Sequence, residues 1–335
     1  MRPLIIPIFV LHKGCPNRCV FCNERIAAGD YSDRITGDTV RTVCDRHLGK
    51  DGRRFDQIAF YGGNFTGMDR DYQIELLDAA KGYVDAGMVD SIRISTRPDY
   101  IDDERIDLIT RYHVSTVEIG AQSMVDEVLS ASGRGHSSKD VREAVRLLKR
   151  AGIKTGVHLM VGLPGDTREG FEYTVEEIIG LQPDTVRIHP TIVFKNTKLA
   201  EAYCKGTYLP LTLDNAVDLC KHALLRFQKA GIPVIRLGLH TTKEMETDNN
   251  IIAGPFHPAF RSLVEGALFL DMAKELLGSQ DLKRQEVVFS VAPQDVSNLR
   301  GMKSRNIGIL KESFGIPEIY VRENAKQERG SLRII

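Results

Sequence analysis

The 335-residue sequence contains no tryptophan, carries no net charge and has no apolar segment of membrane-spanning length. Lys plus Arg and Asp plus Glu each number 45, so the overall charge does not indicate a nucleic-acid or membrane partner. The first apolar run, LIIPIFVL at 4–11, is too short to cross a bilayer and contains Pro7. No cleavage site of small residues follows it, so a signal peptide is not indicated. We therefore predict a cytoplasmic protein without a membrane partner.

Cysteine is also scarce, with six residues, but three of them fall within the stretch HKGCPNRCVFCNE. In a reducing compartment, clustered thiols indicate metal binding or catalysis before a disulfide. Cys15, Cys19 and Cys22 are not followed by the second cysteine pair that a structural zinc site would need. Three thiolates at this spacing suit a [4Fe–4S] cluster with one iron left open for another ligand. A zinc site completed by His12 or Cys44 is the alternative.

Short apolar or β-branched segments alternate with helical patterns through the first two thirds of the chain. Such alternation predicts parallel βα units joined by right-handed crossovers. Six units favour an α/β fold in the form of a partial (β/α)6 TIM-like barrel, and a doubly wound open sheet is the alternative. The predicted strands are 4–11, 57–63, 91–96, 115–120, 154–162 and 185–193.

The βα rhythm ends at about residue 232, where mixed helix-like and strand-like segments begin. We therefore predict a barrel at 1–235 and a C-terminal α+β extension at 236–335 that packs on it. We expect the extension's strand-like segments QEVVFSV and PEIYV to pair with the open edge of the barrel, because exposed edges are usually covered. Residues 299–335 carry eight Lys or Arg and four Glu, which favours either an RNA-binding face or a solvated surface.

Polar and glycine-containing motifs follow the predicted strands. The cysteine loop follows the first strand, and GGNFT, STRPD, GAQS, HLMVGLPG and HPT accompany the others. Parallel βα folds bind ligands at the carboxyl ends of their strands, whereas structural turns would be found at both ends. These motifs therefore predict a single site at one end of the barrel.

The spacing C-x3-C-x2-C, with Phe21 directly before the third cysteine, resembles the signature of the radical S-adenosylmethionine (SAM) superfamily. The resemblance implies that Cys15, Cys19 and Cys22 bind a [4Fe–4S] cluster and that SAM chelates the open iron. It further implies that the reduced cluster cleaves SAM and that a 5′-deoxyadenosyl radical attacks the substrate. A reductant such as flavodoxin or ferredoxin would supply the electron.

Further motifs extend this resemblance over roughly residues 5–240, where the chain is similar to the Elongator catalytic subunit family and its kin, the anaerobic coproporphyrinogen oxidases. Gly62 and Gly63 resemble the glycine pair whose backbone receives the methionine amino group, although Asn64 stands where that motif has glutamate. The resemblance implies cofactor binding by these residues and also by Phe21, Ser95, Gln122, Arg134, His158 and Gly162.

These assignments have structural alternatives. Ser95 and Gln122 would also suit the capping of strand ends, and Arg134 would suit a solvated loop. His158 and His189 lie in apolar runs that also suit hydrogen-bonded core histidines. No residue is assigned as a catalytic residue from the sequence.

The substrate is less well defined. Elongator catalytic subunits also contain an acetyltransferase domain, but we find no Gly-rich acetyl-CoA loop and expect no such domain here. The leading hypothesis is a radical SAM enzyme that acts on tRNA or a modified nucleoside. The alternatives are a radical SAM enzyme for a small anionic metabolite or tetrapyrrole-like substrate, and a non-catalytic iron–sulfur or zinc scaffold or sensor. The oligomeric state stays open.

Overall fold

The computed structural model describes residues 4–11, 13–16, 18–28, 35–49, 54–246, 250–279 and 286–335. Its strands are β1 (Ile5–Phe9), β2 (Phe55–Tyr61), β3 (Val89–Thr96), β4 (Val114–Gln122), β5 (Lys154–Val161), β6 (Thr185–Pro190), β7 (Val193–Phe194), β8 (Val234–Leu237), β9 (Ile251–Ala253), β10 (Glu286–Val291), β11 (Glu318–Glu323) and β12 (Leu332–Ile334).

The helices follow the strands in the order expected of βα units. They are α1 (Glu24–Ala28), α2 (Gly37–Leu48), α3 (Arg70–Asp85), α4 (Asp103–Arg111), α5 (Asp126–Ala131), α6 (Ser138–Arg150), α7 (Arg168–Leu181), α8 (Lys198–Cys204), α9 (Leu213–Lys229), α10 (Lys243–Glu246), α11 (Phe260–Gly278), α12 (Val296–Arg300) and α13 (Arg305–Phe314). Several begin at a Ser or Thr whose side chain accepts a backbone N–H of the first turn. Ser137 caps α6 in this way, and Thr167 caps α7.

The largest element is a seven-stranded parallel sheet in the order β1-β2-β3-β4-β5-β6-β8. Residues such as Ile58, Ile92 and Val157 belong to its buried apolar face and pack in the main core. Because side chains alternate along a strand, the other face carries polar groups such as Glu118 and Arg187 into the barrel interior. The predicted partial TIM-like barrel is confirmed.

The sheet contains one strand more than the six predicted. The additional strand is β8, which pairs in parallel with β6 through pairs such as Val186 with Val234. Its four residues are too few to show an alternating pattern, and no long helix directly follows it. The predicted barrel boundary at 235 therefore falls within β8.

The C-terminal region forms its own three-stranded sheet in the order β11-β10-β12. We expected QEVVFSV and PEIYV to pair with the barrel edge, but β10 pairs with β11 in parallel and with β12 in antiparallel orientation. The apolar residues Phe289 and Ile319 on these strands pack in a second core with Phe269 and Leu310. The region covers its own apolar face with α11 and α13, so its strands do not need the barrel edge.

The segment after β8 lies at the open side of the barrel. Thr242 Oγ1 donates to the carbonyl of Ile26 in α1 at 2.8 Å, and Met245 packs with Ile26 and Phe194. β9 then pairs in antiparallel orientation with β7. Because α1 follows β1 and this segment follows β8, the contact joins the two ends of the sheet. Within the described ranges, no helix is both long and apolar enough to cross a membrane.

Candidate functional site

The cysteine loop lies at the carboxyl end of β1. The N–H of Cys22 donates to the carbonyl of Cys19 at 3.1 Å, which closes a tight turn. Val20 anchors this turn from both sides: its N–H donates to the Ser132 carbonyl at 3.1 Å, and its carbonyl accepts the Leu199 N–H at 2.8 Å. The loop is therefore held between the end of α5 and the start of α8.

The three thiols lie close enough together to influence one another. Burial, together with the charges of Glu24 and Cys19, raises the pKa of Cys15 to about 11. Burial and the neighbouring charges, Glu24 first, raise the pKa of Cys22 as well. Arg134 Nη1 donates to Cys19 Sγ at 3.1 Å. Thiols that resist ionisation in the protein alone become thiolates when a metal centre binds, so this donor set fits an iron–sulfur cluster.

The zinc alternative gains no support from the geometry. Cys44 is buried in α2 within the main hydrophobic core, and His12 lies outside the described residues. Among the side chains that the structure describes, no three His, Cys, Asp or Glu residues are placed to hold a single metal ion. Neither proposed fourth ligand is therefore shown beside the three cysteines.

The glycine turn after β2, formed by Gly62 and Gly63, packs closely against the backbone of the cysteine loop. Gly62 and Gly63 have φ of 83° and 60°, in the left-handed region that favours glycine. A Cβ on Gly63 would lie 2.6 Å from the Lys13 carbonyl oxygen, so only glycine permits this approach. The N–H of Gly63 donates to Glu24 Oε1 at 2.9 Å. Glu24 was not identified from the sequence, because only the folded loop brings it to this turn.

Asn64 is fully buried and joins three strand ends. Its Nδ2 donates to the Gly14 carbonyl at 2.8 Å, and its Oδ1 accepts the Arg97 N–H at 3.1 Å and the Thr96 hydroxyl. These bonds tie the cysteine loop to the end of β3. Because they occupy both ends of the amide, we propose that Asn64 positions the loop and that the neighbouring glycines make the closer approach to a cofactor.

Gln122 and Arg134 bring unpartnered polar atoms to the site. Gln122 ends β4 with φ of 69°, and its Oε1 is buried without a hydrogen bond to any residue that the structure describes. Arg134 Nη2 donates to the Gly120 carbonyl at 2.6 Å, whereas its Nε also lacks a partner in the same set of residues. Buried polar atoms of this kind usually bind a ligand or water. Because Arg134 also contacts Cys19, its unpartnered atom agrees with a polar cofactor near the cysteine loop.

The remaining predicted residues surround this centre on different sides. Phe21 packs with Tyr208 and also with Met160 at the end of β5. Gly162, with φ of 79°, accepts a hydrogen bond from the Tyr208 hydroxyl at 2.7 Å. Ser95 is half-buried and stands opposite Glu118 in the β3–β4 register. Phe21 and Gly162 thus share one side of the site, and Ser95 lies on another strand.

His158 lies in the barrel interior, where it contacts His189 rather than the glycine turn. The two imidazole rings meet edge to face, with centroids 4.2 Å apart. Burial and the charge of Arg187 lower the pKa of His158 to about 3. Burial, with the neighbouring His158, also lowers the pKa of His189 well below its usual value. Both imidazoles are therefore neutral at pH 7.

A buried charge network was missed from the sequence. Glu118 Oε1 lies 2.5 Å from Arg93 Nη1 and 2.7 Å from Arg187 Nη2, so one carboxylate oxygen pairs with two guanidinium groups. Arg187 also donates to the Tyr61 hydroxyl at 3.3 Å. The available signal was the occurrence of charged residues inside strands of a buried parallel sheet, in SIRIST, STVEIG and TVRIHP.

The fold is that of an α/β protein with a candidate cofactor site at the carboxyl end of a partial barrel. Residues 9–178 match the radical SAM superfamily, and residues 183–269 match the radical SAM C-terminal domain. The chain therefore belongs to the radical SAM superfamily, whose members are enzymes that use a [4Fe–4S] cluster and SAM. This membership favours the enzymatic hypotheses over a scaffold or sensor.

Two groups of relatives carry names that refer to tRNA or Elongator. The tRNA uridine(34) acetyltransferase of Methanocaldococcus jannaschii is 28% identical over 260 residues, which cover 65% of this chain and 48% of that protein. Elongator complex protein 3 of Danio rerio is 31% identical over 198 residues, which cover 52% of this chain and 36% of that protein. The chain thus spans about half the length of these relatives or less.

Two solved structures show the same fold as this chain. The archaeal Elp3 of Methanocaldococcus infernus, with its N-terminus deleted, superposes with a TM-score of 0.60 at 24% identity, over 84% of this chain and 65% of that one. Coproporphyrinogen III oxidase of Escherichia coli superposes with a TM-score of 0.52 at 18% identity, over 69% and 54% of the two chains. The sequence comparisons confirm the predicted resemblance to the Elongator catalytic subunit family, and the superpositions show that both solved proteins share the fold.

The neutral imidazole of His158 predicts a pH dependence of stability. In the unfolded chain this group takes up a proton near its usual pKa of 6.5, whereas the folded protein resists protonation down to about pH 3. The unfolded state therefore binds more protons between these values, and stability falls as the pH falls below 6.5. The wild type should lose stability between pH 7 and pH 5, and we expect this loss to be smaller by roughly 1–2 kcal/mol in His158→Gln. The free energy of unfolding, measured with urea at both pH values, checks this prediction. His222→Gln, at an exposed position, is the control, and equal pH dependence in all three proteins would contradict the prediction.

Proposed function

We propose that this protein is a radical SAM enzyme that acts on tRNA or a modified nucleoside. The observation that carries the proposal is the convergence of the cysteine loop, the glycine turn and Arg134 at the carboxyl end of the barrel. The choice of substrate is supported by the names of the relatives, tRNA uridine(34) acetyltransferases, whose matches cover 65% and 62% of this chain.

In this proposal Cys15, Cys19 and Cys22 hold the cluster, and the bound cluster and SAM supply a 5′-deoxyadenosyl radical. The guanidinium of Arg134 offsets negative charge at Cys19. Arg97, also buried, lies near enough to the thiols for its charge to oppose part of the rise in the pKa of Cys15. The polar groups of SAM bind at the glycine turn and at Gln122. An external one-electron donor such as flavodoxin or ferredoxin is part of the proposal.

The C-terminal region offers a surface that suits RNA. Its outer sheet face carries Tyr320, which is 51% exposed, on the same side as Arg322. Arg333 lies on that side too, because both arginines are register partners of Ser290. An exposed aromatic ring on the same face as cations can stack on a base while the cations contact phosphates.

A strained turn beside this sheet presents further cations. Lys303 and Ser304 have φ of 50° and 58°, values that residues other than glycine seldom adopt. The turn exposes Lys303 and Arg305, and Arg300 is exposed just before it. None of these three cations forms an ion pair with the residues that the structure describes. They are therefore available to an anionic partner.

Charge reversal of Arg300, Lys303 and Arg305 to Glu should weaken binding of tRNA. The plot of log K against log salt has a negative slope, and each lost phosphate contact makes that slope less steep by nearly one. We therefore expect the magnitude of the slope to fall by about 2–3. Binding should be measured by filter retention at several salt concentrations. The same reversal at Arg146, Lys149 and Arg150 on α6 is the matched control. Unchanged tRNA binding by the first variant would show that this turn does not contact RNA.

The function itself is tested by incubating the reduced, cluster-loaded protein with SAM and tRNA under anaerobic conditions. The expected result is formation of 5′-deoxyadenosine that increases with tRNA, together with a new nucleoside mass after digestion of the tRNA. If the rate of SAM cleavage is the same with and without tRNA, and no altered nucleoside is found, the proposed substrate is refuted. That result would leave a small anionic or tetrapyrrole-like substrate as the alternative.

A further inference from the structure

The barrel interior carries three nitrogen-bearing side chains on two adjacent strands. The β5–β6 register places His158 directly opposite Arg187. His189 follows Arg187 by two residues and so lies on the same face of β6. With the two imidazole centroids 4.2 Å apart, the three side chains form one group, which we call the interior cluster.

The charge around the interior cluster is not balanced within the buried network. Among the residues that the structure describes, Glu118 is the carboxylate that forms ion pairs with Arg93 and Arg187, and its Oε1 contacts both guanidinium groups. Two positive charges therefore share one negative charge in a buried setting. Burial of an uncompensated charge is costly, and an anion bound beside Arg187 would remove the excess.

Each member of the interior cluster also has a buried atom without a partner. Arg187 Nε and the Nε2 atoms of His158 and His189 make no hydrogen bond with the described part of the chain. The Arg187 Nε–H can only donate, and a neutral imidazole can donate from Nε2. The complementary group is thus an acceptor with several lone pairs. Tyr61 already holds the guanidinium, with its ring centroid 5.3 Å from Arg187 Cζ, so the cluster is arranged before any ligand binds.

We propose that Arg187, His158 and His189 form an oxyanion subsite that binds a carboxylate or phosphate group of the substrate. This inference rests on the proposed function in one respect, namely that the substrate reaches the barrel from the end that carries the cysteine loop. The strands β5 and β6 end at Val161 and Pro190, at that same end. Arg134, which contacts Cys19, is near enough to His158 to contribute to its lowered pKa. The subsite therefore adjoins the SAM site without sharing its glycine turn.

The subsite is tested by equilibrium dialysis of the cluster-loaded, full-length protein with labelled inorganic phosphate or labelled acetate, at saturating SAM. One equivalent of at least one of the two anions should bind. Arg187→Gln should lower the affinity for that anion about tenfold or more, because a charge-assisted contact is lost. Phosphate alone would identify a nucleotide or RNA phosphate, and acetate alone a carboxylic acid. Arg226→Gln, which removes a surface arginine paired with Glu176, is the control.

His189→Phe keeps the charge network intact and is the second test variant, for use if Arg187→Gln fails to fold. It should lower the affinity for the anion several-fold, because one hydrogen-bond donor is lost. Three results would overturn the subsite: neither anion binds, both variants bind as well as the wild type, or SAM and the anion compete for the same place. Anion binding without any change to tRNA would instead reject the proposed function and leave the subsite standing. Modification of tRNA by Arg187→Gln at the wild-type rate would reject the subsite alone.

Discussion

Replacing Cys19 with alanine is expected to abolish cluster binding and, with it, all cleavage of SAM. With three thiols in the loop, the loss of one leaves two ligands, too few to hold a [4Fe–4S] cluster that already lacks a fourth cysteine. Cys19 is also the thiol that contacts Arg134, so its loss leaves that buried guanidinium without its sulfur partner. Iron and sulfide content, absorbance near 400 nm and 5′-deoxyadenosine formation should all fall to background.

The control for this prediction is Cys204→Ala, which removes an exposed thiol at the end of α8. This variant should retain its iron, its absorbance and its SAM cleavage. If Cys19→Ala kept full iron content and activity, Cys19 would not be a ligand. The assignment of Cys15 and Cys22 would then lose its basis as well.

The second large effect is expected for Glu118→Gln, which should destabilise the fold by about 3–5 kcal/mol. Glu118 has 7% of its side chain exposed and contacts two arginines, Arg93 and Arg187. The amide keeps the shape of the side chain but removes its charge, so the buried guanidinium of Arg93 and the half-buried one of Arg187 lose their counter-ion. The free energy of unfolding, measured with urea at neutral pH, should report the difference.

Glu176→Gln provides the matched comparison, because Glu176 pairs with Arg226 at the surface with 49% of its side chain exposed. Exposed pairs contribute at most about 1 kcal/mol, so this variant should remain close to the wild type. Similar stabilities for the two variants would mean that the interior charges are screened by solvent. The argument for an anion at the interior cluster would then lose its electrostatic part.

Several features could be predicted from the sequence because their signals are local. The spacing of the cysteines is local, and so are the glycines of the turn after β2. Strands and helices are encoded by periods of two and 3.6 residues, which are visible within a short window. Since the carboxyl ends of parallel strands share one edge, the order of elements alone predicted that the cysteine loop, Gly63, Gln122 and Gly162 would lie at the same end.

Other features needed the tertiary structure because they depend on distance through space. Arg134 is 115 positions from Cys19 in the chain, and no short window of sequence relates them. The meeting of Glu118 with Arg187 depends on strand register and sheet curvature, and so does the contact between the two histidines of the interior cluster.

The sequence by itself indicated the superfamily through the resemblance of its cysteine motif, and its periodicity favoured a partial barrel with the polar motifs at one end. Only the tertiary structure decided that β8 joins the barrel sheet and that β10 pairs with β11 and β12. It also decided which buried charges meet inside the barrel. The physical reason is that a strand's pattern shows which residues share a face, whereas its pairing partner is decided by the surfaces that remain to be covered.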